Sequence, residues 1–172
     1  MKQDLIESQI QLRKQELTLK INELILGERK RFIQQYGKYE SVDYRTVANQ
    51  TLTDVQTEQH LMGSMTVGCF YKGSHSKFLV FDIDVKDPAI PLGLIQLLKN
   101  YGFQAEDIHL EESGTKGWHL WLFFQTPIRI ELLVSFGDFI RTQLGVSKTN
   151  IELRPEKPSN SRRHQAPFRD SS

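Results

Sequence analysis

The chain has 172 residues, of which 38% are hydrophobic and 25% charged, an ordinary balance for a globular protein with one compact domain or two small layers. The formal net charge is +1, so composition alone does not mark a nucleic-acid-binding protein, and any basic surface must be local. The single cysteine, Cys69, excludes an internal disulfide and fits a cytoplasmic location, and no apolar run is long enough to cross a membrane, so no membrane partner is expected.

Residues 1–65 are predicted to form an N-terminal layer of helical and α/β structure. Residues 3–36 are interpreted as an amphipathic helix, which Gly27 can divide into two. Its apolar residues recur at spacings of three, four or seven: Ile6, Ile10, Leu17, Ile21 and Leu24. Such a helix either packs on its own domain, which is the ordinary case, or serves as a short coiled-coil or partner helix.

Residues 66–155 are predicted to form an RRM-like or ferredoxin-like palm, which with the N-terminal layer gives an α+β fold and one structural domain overall. Helices are predicted at 88–101 and 129–144, and strands at 66–72, 77–85, 107–112, 118–124 and 150–154. From residue 77 the order is β-α-β-β-α-β, the signature of the split βαβ unit. The spatial order of its strands is fourth, first, third, second, which places the first strand between the third and the fourth.

The stretch FLVFDID, residues 78–84, ends an apolar strand with two carboxylates, Asp82 and Asp84. Because side chains alternate along a strand, both point to one face, about 6.5–7 Å apart. The helices must cover the apolar face, so the acids are expected on the open one. The same alternation sends His119 and Trp121 of the third strand, and Glu152 of the fourth, to that open face.

Three carboxylates on neighbouring strands repel one another unless a cation joins them. Hard divalent cations take oxygen ligands, and paired ions bridged by carboxylates are the usual apparatus for phosphoryl and nucleotidyl transfer. The alternative is that Asp82 and Asp84 lie solvated at a frayed strand end. The turn from Ser113 to Gly117 precedes His119, and its backbone N–H groups either cradle an anion or simply close a hairpin.

Trp121 and two arginines are further side chains that the sequence places on the palm. Trp121 either stacks on a base or, as is more ordinary, packs beneath the N-terminal layer. Arg129 and Arg141 belong to the last predicted helix, where a solvated face is the default expectation.

Three segments together resemble the motifs of the archaeo-eukaryotic primase superfamily. FLVFDID resembles its hhhDhD motif (h is apolar), SGTKGWHLWLFF its serine–glycine turn leading to a histidine, and IELRPEK its third, acid-bearing motif. The closest resemblance is to the primase domains of TOTE conflict systems and CRISPR-associated primase-polymerases, in which a segment like QHLMGSMTVGCFY also precedes the first acidic strand.

The resemblance implies a DNA primase or primase-polymerase that attaches nucleotides to a 3′-hydroxyl. Asp82, Asp84 and Glu152 would be catalytic and hold Mg²⁺ or Mn²⁺. The incoming nucleoside triphosphate would be bound by Ser113, Gly114, Lys116, Gly117, His119, Lys157 and Arg163. Expected partners are a single-stranded DNA template with its primer, and helicase, nuclease, CRISPR or conflict-system proteins.

The resemblance has departures after Glu152. The third motif often reads ELFPKQ, whereas here Arg154 takes the aromatic position and Lys157 supplies the basic residue one place later. Residues 156–172 form a basic C-terminal tail that either contacts phosphates or is disordered. The alternative to a polymerase is a catalytically incomplete RRM-like module or fragment that binds single strands. A metal-dependent nuclease is a third possibility, since paired acids serve that chemistry too.

Overall fold

The computed structural model describes residues 2–36, 43–71, 73–113 and 117–156. These residues divide into two compact units, the first reaching to Tyr71 and the second beginning after it. The basic tail predicted at 156–172 lies outside the described residues except for Glu156.

The first unit contains helices α1 (Lys2–Leu24) and α2 (Asp54–Leu61) and strands β1 (Glu28–Tyr36), β2 (Asp43–Val47) and β3 (Val67–Phe70). The strands form an antiparallel sheet in the order β2-β1-β3. Its core is built from Phe32, Leu52 and Val67. The strand predicted at 66–72 is confirmed as β3.

The helix predicted over residues 3–36 is wrong beyond Leu24, because residues 28–36 form the central strand β1. Phe32 and Ile33 are adjacent and both buried, which suits a strand that projects them to opposite faces. β1 is hydrogen-bonded on both sides, to β2 and to β3. This long-range pairing decides the conformation, since the local sequence has only a weak preference.

The second unit contains strands β4 (His75–Ile83), β5 (Ile108–Glu112), β6 (Trp118–Arg129) and β7 (Ile151–Arg154), and helices α3 (Ala89–Asn100) and α4 (Ile130–Leu144). A short 3₁₀ turn, Ala105–Asp107, precedes β5. The four strands are antiparallel in the order β5-β6-β4-β7. The predicted β-α-β-β-α-β unit and its strand order are therefore confirmed.

Two element boundaries differ from the prediction, and the first of them affects the site. β4 ends at Ile83, so Asp84 lies just beyond the strand. β6 continues through Pro127 to Arg129, and α4 begins one residue later. Pairing of β4 with β6 shifts register between Ser76 and Phe78, and prolines are tolerated near such irregularities because no regular N–H bond is required there.

The helix-covered face of this sheet is apolar. Phe81 stands between Leu120 on β6 and Leu153 on β7, and all three are buried. On α4, a Cβ at Gly137 would lie 2.7 Å from Leu153 Cδ1, so the glycine allows the helix to approach β7 closely. Because this face is buried, the polar side chains at the alternating positions of the strands lie on the opposite, open face of the sheet.

Arg141 is buried rather than solvated, contrary to the expectation for α4. Its Nη1 donates a hydrogen bond to the carbonyl oxygen of Ile151 at 2.6 Å, and its Nη2 donates to the carboxylate of Asp138. The guanidinium thus ties α4 to the start of β7. Asp138 lies one turn away on α4 itself, whereas only the tertiary structure supplies the Ile151 carbonyl, and the two acceptors together offset the cost of burying the charge.

We expect Arg141→Met to lower the free energy of unfolding by about 2–3 kcal/mol, because it leaves the Ile151 carbonyl and Asp138 without their charged donor. Urea denaturation followed by circular dichroism measures the change. Arg129→Met is the matched control, since Arg129 is exposed, and should change stability by no more than about 0.5 kcal/mol. Equal effects of the two substitutions would contradict the anchoring role of Arg141.

Candidate functional site

A row of polar side chains crosses all four strands of the second unit. Asp82 on β4 is in register with His119 on β6 and with Glu152 on β7, and His119 is in register with Glu111 on β5. Directly opposite residues have Cβ atoms about 4.5–5.5 Å apart. The row lies on the face opposite Phe81, as strand alternation predicted for Asp82, His119 and Glu152.

Asp84 is not part of this row. It is exposed, beyond the end of β4, and its backbone N–H donates to the carbonyl oxygen of Asn150 at 3.0 Å. This bond continues the β4–β7 contact one step past the strand. The structure therefore brings together Asp82 and Glu152 and leaves Asp84 at the solvent-facing end.

His119 lies between two carboxylates and is only 3% exposed. Its Nε2 is 3.5 Å from Asp82 Oδ1, and its Nδ1 is 3.5 Å from Glu111 Oε2. Among the described residues Nδ1 has no hydrogen bond of good geometry, so these contacts are loose ion pairs. Burial by itself lowers the pKa of His119, but the carboxylates of Asp82 and Glu111 outweigh it and raise the pKa to about 9.

We expect the His119 ring to titrate near pH 9 in a proton–carbon NMR titration of the metal-free protein. A histidine with a raised folded-state pKa stabilises the fold fully below its unfolded pKa of about 6.5, and this stabilisation is lost as pH rises through about 9. His119→Gln should therefore cost more stability at pH 6 than at pH 9.5. A ring that titrates near 6.5, or equal costs at both pH values, would contradict the ion-pair arrangement.

Glu111 is the member of the row that sequence reasoning missed. Its Oε2 accepts a hydrogen bond from Trp121 Nε1 at 3.0 Å in addition to facing His119. The sequence contained the information needed to find it. A hairpin centred on residue 115 pairs residue 111 with residue 119, and this is the register observed. Extending the predicted row to the edge strand would have identified this residue.

Trp121 is 8% exposed and is surrounded by other rings. Its indole stacks on Phe123 with centroids 5.7 Å apart and meets Phe78 at 5.6 Å. Burial against rings of its own sheet disfavours stacking on a base, and the predicted packing beneath the N-terminal layer stays a prediction. Its N–H is thereby held in a fixed direction toward Glu111.

The serine–glycine turn is described only at its two ends. The Ser113 N–H donates to the Gly117 carbonyl oxygen, and the Gly117 N–H donates to Ser113 Oγ, each at 2.9 Å. A Cβ at Gly117 would lie 1.9 Å from the carbonyl oxygen of Ile83, so Gly117 rests directly against the end of β4. Gly114 and Lys116, both predicted to bind nucleotide, lie outside the described residues.

Arg154 follows Glu152 on β7 and shares its face. Its Nη2 donates to the Glu152 carboxylate, and its Nη1 donates to the carboxylate of Glu156. The arginine in the aromatic position of the third motif is thus an internal counter-ion for one predicted catalytic acid. Lys157 and Arg163, also predicted to bind nucleotide, are not among the described residues.

The donor set fits a hard divalent cation in part. Asp82 and Glu152 offer carboxylate oxygens from adjacent strands. Within the described ranges, no three His, Cys, Asp or Glu side chains are grouped closely enough to hold a metal ion by themselves. In proteins, Mg²⁺ is commonly held by one or two carboxylates together with substrate phosphates rather than by a complete protein cage.

The palm carries carboxylates and a histidine on its open face, an arrangement compatible with a primase-like nucleotidyltransferase. The model of the archaeo-eukaryotic primase domain of TOTE conflict systems matches residues 24–155, so the chain belongs to that family. The matched residues include every strand of both sheets. The family indicates nucleic acid and conflict-system proteins as partners in general terms.

Among curated proteins, none matches the chain with significant similarity. In the part of the chain that the structure describes, no helix combines the length and the apolar character needed to span a bilayer.

Proposed function

We propose that the chain is a template-directed primase-polymerase that adds nucleotides to a 3′-hydroxyl by a two-metal mechanism. The observation that carries this proposal is the register of Asp82 with both Glu152 and His119 on the open face of the palm. Membership of the primase domain family supports the reaction class. Single-stranded DNA with a primer is the proposed polymer substrate, and helicase and nuclease components of a conflict or CRISPR system are the proposed protein partners.

Asp82, Asp84 and Glu152 are the proposed ligands of Mg²⁺ or Mn²⁺. When bound, such cations activate the attacking hydroxyl and neutralise the leaving pyrophosphate. Glu152 can keep Arg154 on one carboxylate oxygen and offer the other, because a carboxylate has two acceptor oxygens. Asp84, being exposed, can turn toward the open face without disturbing the core.

The turn and His119 are the proposed site for the triphosphate of the incoming nucleotide. Ser113 Oγ accepts from the Gly117 N–H, while its own O–H is a donor suited to a phosphate oxygen. Protonated His119 adds positive charge to a row otherwise made of acids. Gly114, Lys116, Lys157 and Arg163 complete the proposed nucleotide-binding set by their places in the motifs.

The first experiment is extension of a labelled primer on a single-stranded template with Mn²⁺ and either deoxynucleotides or ribonucleotides. We expect longer products that require the metal, the template and the nucleotides together. A parallel reaction without nucleotides tests for a nuclease, since shortening of the DNA there would overturn the polymerase assignment in favour of cleavage.

A catalytically incomplete module that binds single strands is the second candidate. The Arg154–Glu152 ion pair favours it, because a positive side chain already neutralises one proposed metal ligand. A folded protein that binds labelled single-stranded DNA but extends no primer with Mn²⁺ or Mg²⁺ would establish the binding module instead.

A further inference from the structure

Glu111 touches both side chains that β6 projects onto the open face at this level of the sheet. One carboxylate oxygen, Oε2, accepts from Trp121 Nε1 at 3.0 Å and lies 3.5 Å from His119 Nδ1. The Glu111 side chain is 43% exposed at the edge strand, whereas the His119 side chain is 3% exposed. A partly solvated acid thus reaches inward to a buried ring.

Trp121 gives this carboxylate a fixed position. The indole is 8% exposed and packed against Phe78 and Phe123, so its N–H cannot swing away without disturbing three rings. A hydrogen bond from so rigid a donor holds Glu111 Oε2 beside the His119 ring. The contact sequence then continues from the other ring nitrogen, Nε2, to Asp82 Oδ1 at 3.5 Å.

We propose that Glu111, held by Trp121, is a positioning residue that fixes the His119 ring and, through that ring, the carboxylate of Asp82. The effect of Glu111 on catalysis rests on the proposed function, whereas its effect on the orientation of His119 and Asp82 rests on the contacts alone. Glu111 acts on the ring by attraction of opposite charges at 3.5 Å, which favours Nδ1 facing Glu111 and Nε2 facing Asp82. Removing the outer partners of a metal ligand commonly costs 10–100-fold in metal affinity or activity, and Asp82 is a proposed ligand. Asp82 is thereby aligned from two strands away, across β6.

Glu111→Gln is the direct test, because the amide keeps the size and an acceptor oxygen while losing the charge. Glu112→Gln is the matched control, since Glu112 is the next residue of β5, is exposed, and pairs with Trp118 on the opposite face. Trp121→Phe is a second variant that keeps an aromatic ring in the cluster and removes the N–H donor.

The first measurement is NMR of the metal-free protein, following the His119 ring and the side-chain carboxylate carbon of Asp82. We expect Glu111→Gln and Trp121→Phe to shift both signals, and Glu112→Gln to leave them in place. His119 and Asp82 signals that stay unchanged in Glu111→Gln would overturn the inference whatever the activity.

The second measurement is primer extension by the same variants. We expect Glu111→Gln to lower kcat about 10–100-fold with little change in KM for primer–template, and Glu112→Gln to match the wild type. An unchanged kcat in Glu111→Gln would overturn the catalytic part of the inference. If the wild type extends no primer, the proposed function fails, while the NMR comparison still decides whether Glu111 positions His119 and Asp82.

Discussion

Asp82→Asn is expected to lower primer extension roughly 10²–10³-fold or more, the loss typical when one preorganised electrostatic group is removed from a reacting centre. Asp82 stands at the centre of the row, in register with His119 on one side and Glu152 on the other. Asparagine keeps the shape and removes the charge, so a proposed metal ligand is lost. The rate of incorporation of a single nucleotide, measured over a range of Mn²⁺ concentrations, gives the size of the effect.

The design needs a control for general loss of negative charge and a check of folding. Glu106→Gln removes a carboxylate from the exposed 3₁₀ turn of the same unit and should leave extension unchanged. Circular dichroism should show that Asp82→Asn is folded. A folded Asp82→Asn protein that extends primers at the wild-type rate would show that the proposed metal site is wrong.

Gly117→Ala is expected to destabilise the protein by about 3 kcal/mol and to abolish extension, because the added methyl group would lie 1.9 Å from the Ile83 carbonyl oxygen. For a chain of 172 residues this corresponds to a fall in melting temperature of about 6–12 °C. The clash is with backbone, which cannot rotate away as a side chain can, so the turn or the end of β4 must move. Either movement displaces Ser113, which is hydrogen-bonded to Gly117 and is proposed to bind the triphosphate.

Gly68→Ala is the matched control, because a Cβ there would meet Ile33 Cβ at 3.5 Å, an ordinary contact. Gly68→Ala should lower the melting temperature far less than Gly117→Ala does, and it should retain primer extension. Similar losses of melting temperature in the two variants would mean that the close approach at Gly117 is not what fixes the turn against β4.

The order of the second sheet could be predicted because few topologies are compatible with a β-α-β-β-α-β sequence of elements. Strand alternation then assigned Asp82 and His119 to the open face, since Phe81 and Leu120 had to be covered by the helices, and placed Glu152 of the fourth strand beside them. In the second unit, the alternation of side chains along each strand agrees with the observed fold. The family assignment follows from the same segment, whose motifs fall on those strands.

The strand β1 and the buried Arg141 could not be predicted in the same way. Residues 28–36 carry no clean alternation and become a strand because β2 and β3 pair with both edges. Arg141 is buried because the Ile151 carbonyl, which comes within reach only when α4 packs on β7, joins Asp138 of the same helix as an acceptor. In both cases the deciding partner belongs to another element of the chain.

By itself the sequence determined the α+β class, the palm and its acid-bearing face, because strand period and element order are local properties of the chain. Only the tertiary structure decided which acids meet. The register placed Glu111 behind His119, and β4 ended before Asp84, which lies beyond the strand. These contacts are fixed by strand register, side-chain reach and burial. All three depend on the neighbouring strands, which the alternation of side chains within one strand does not specify.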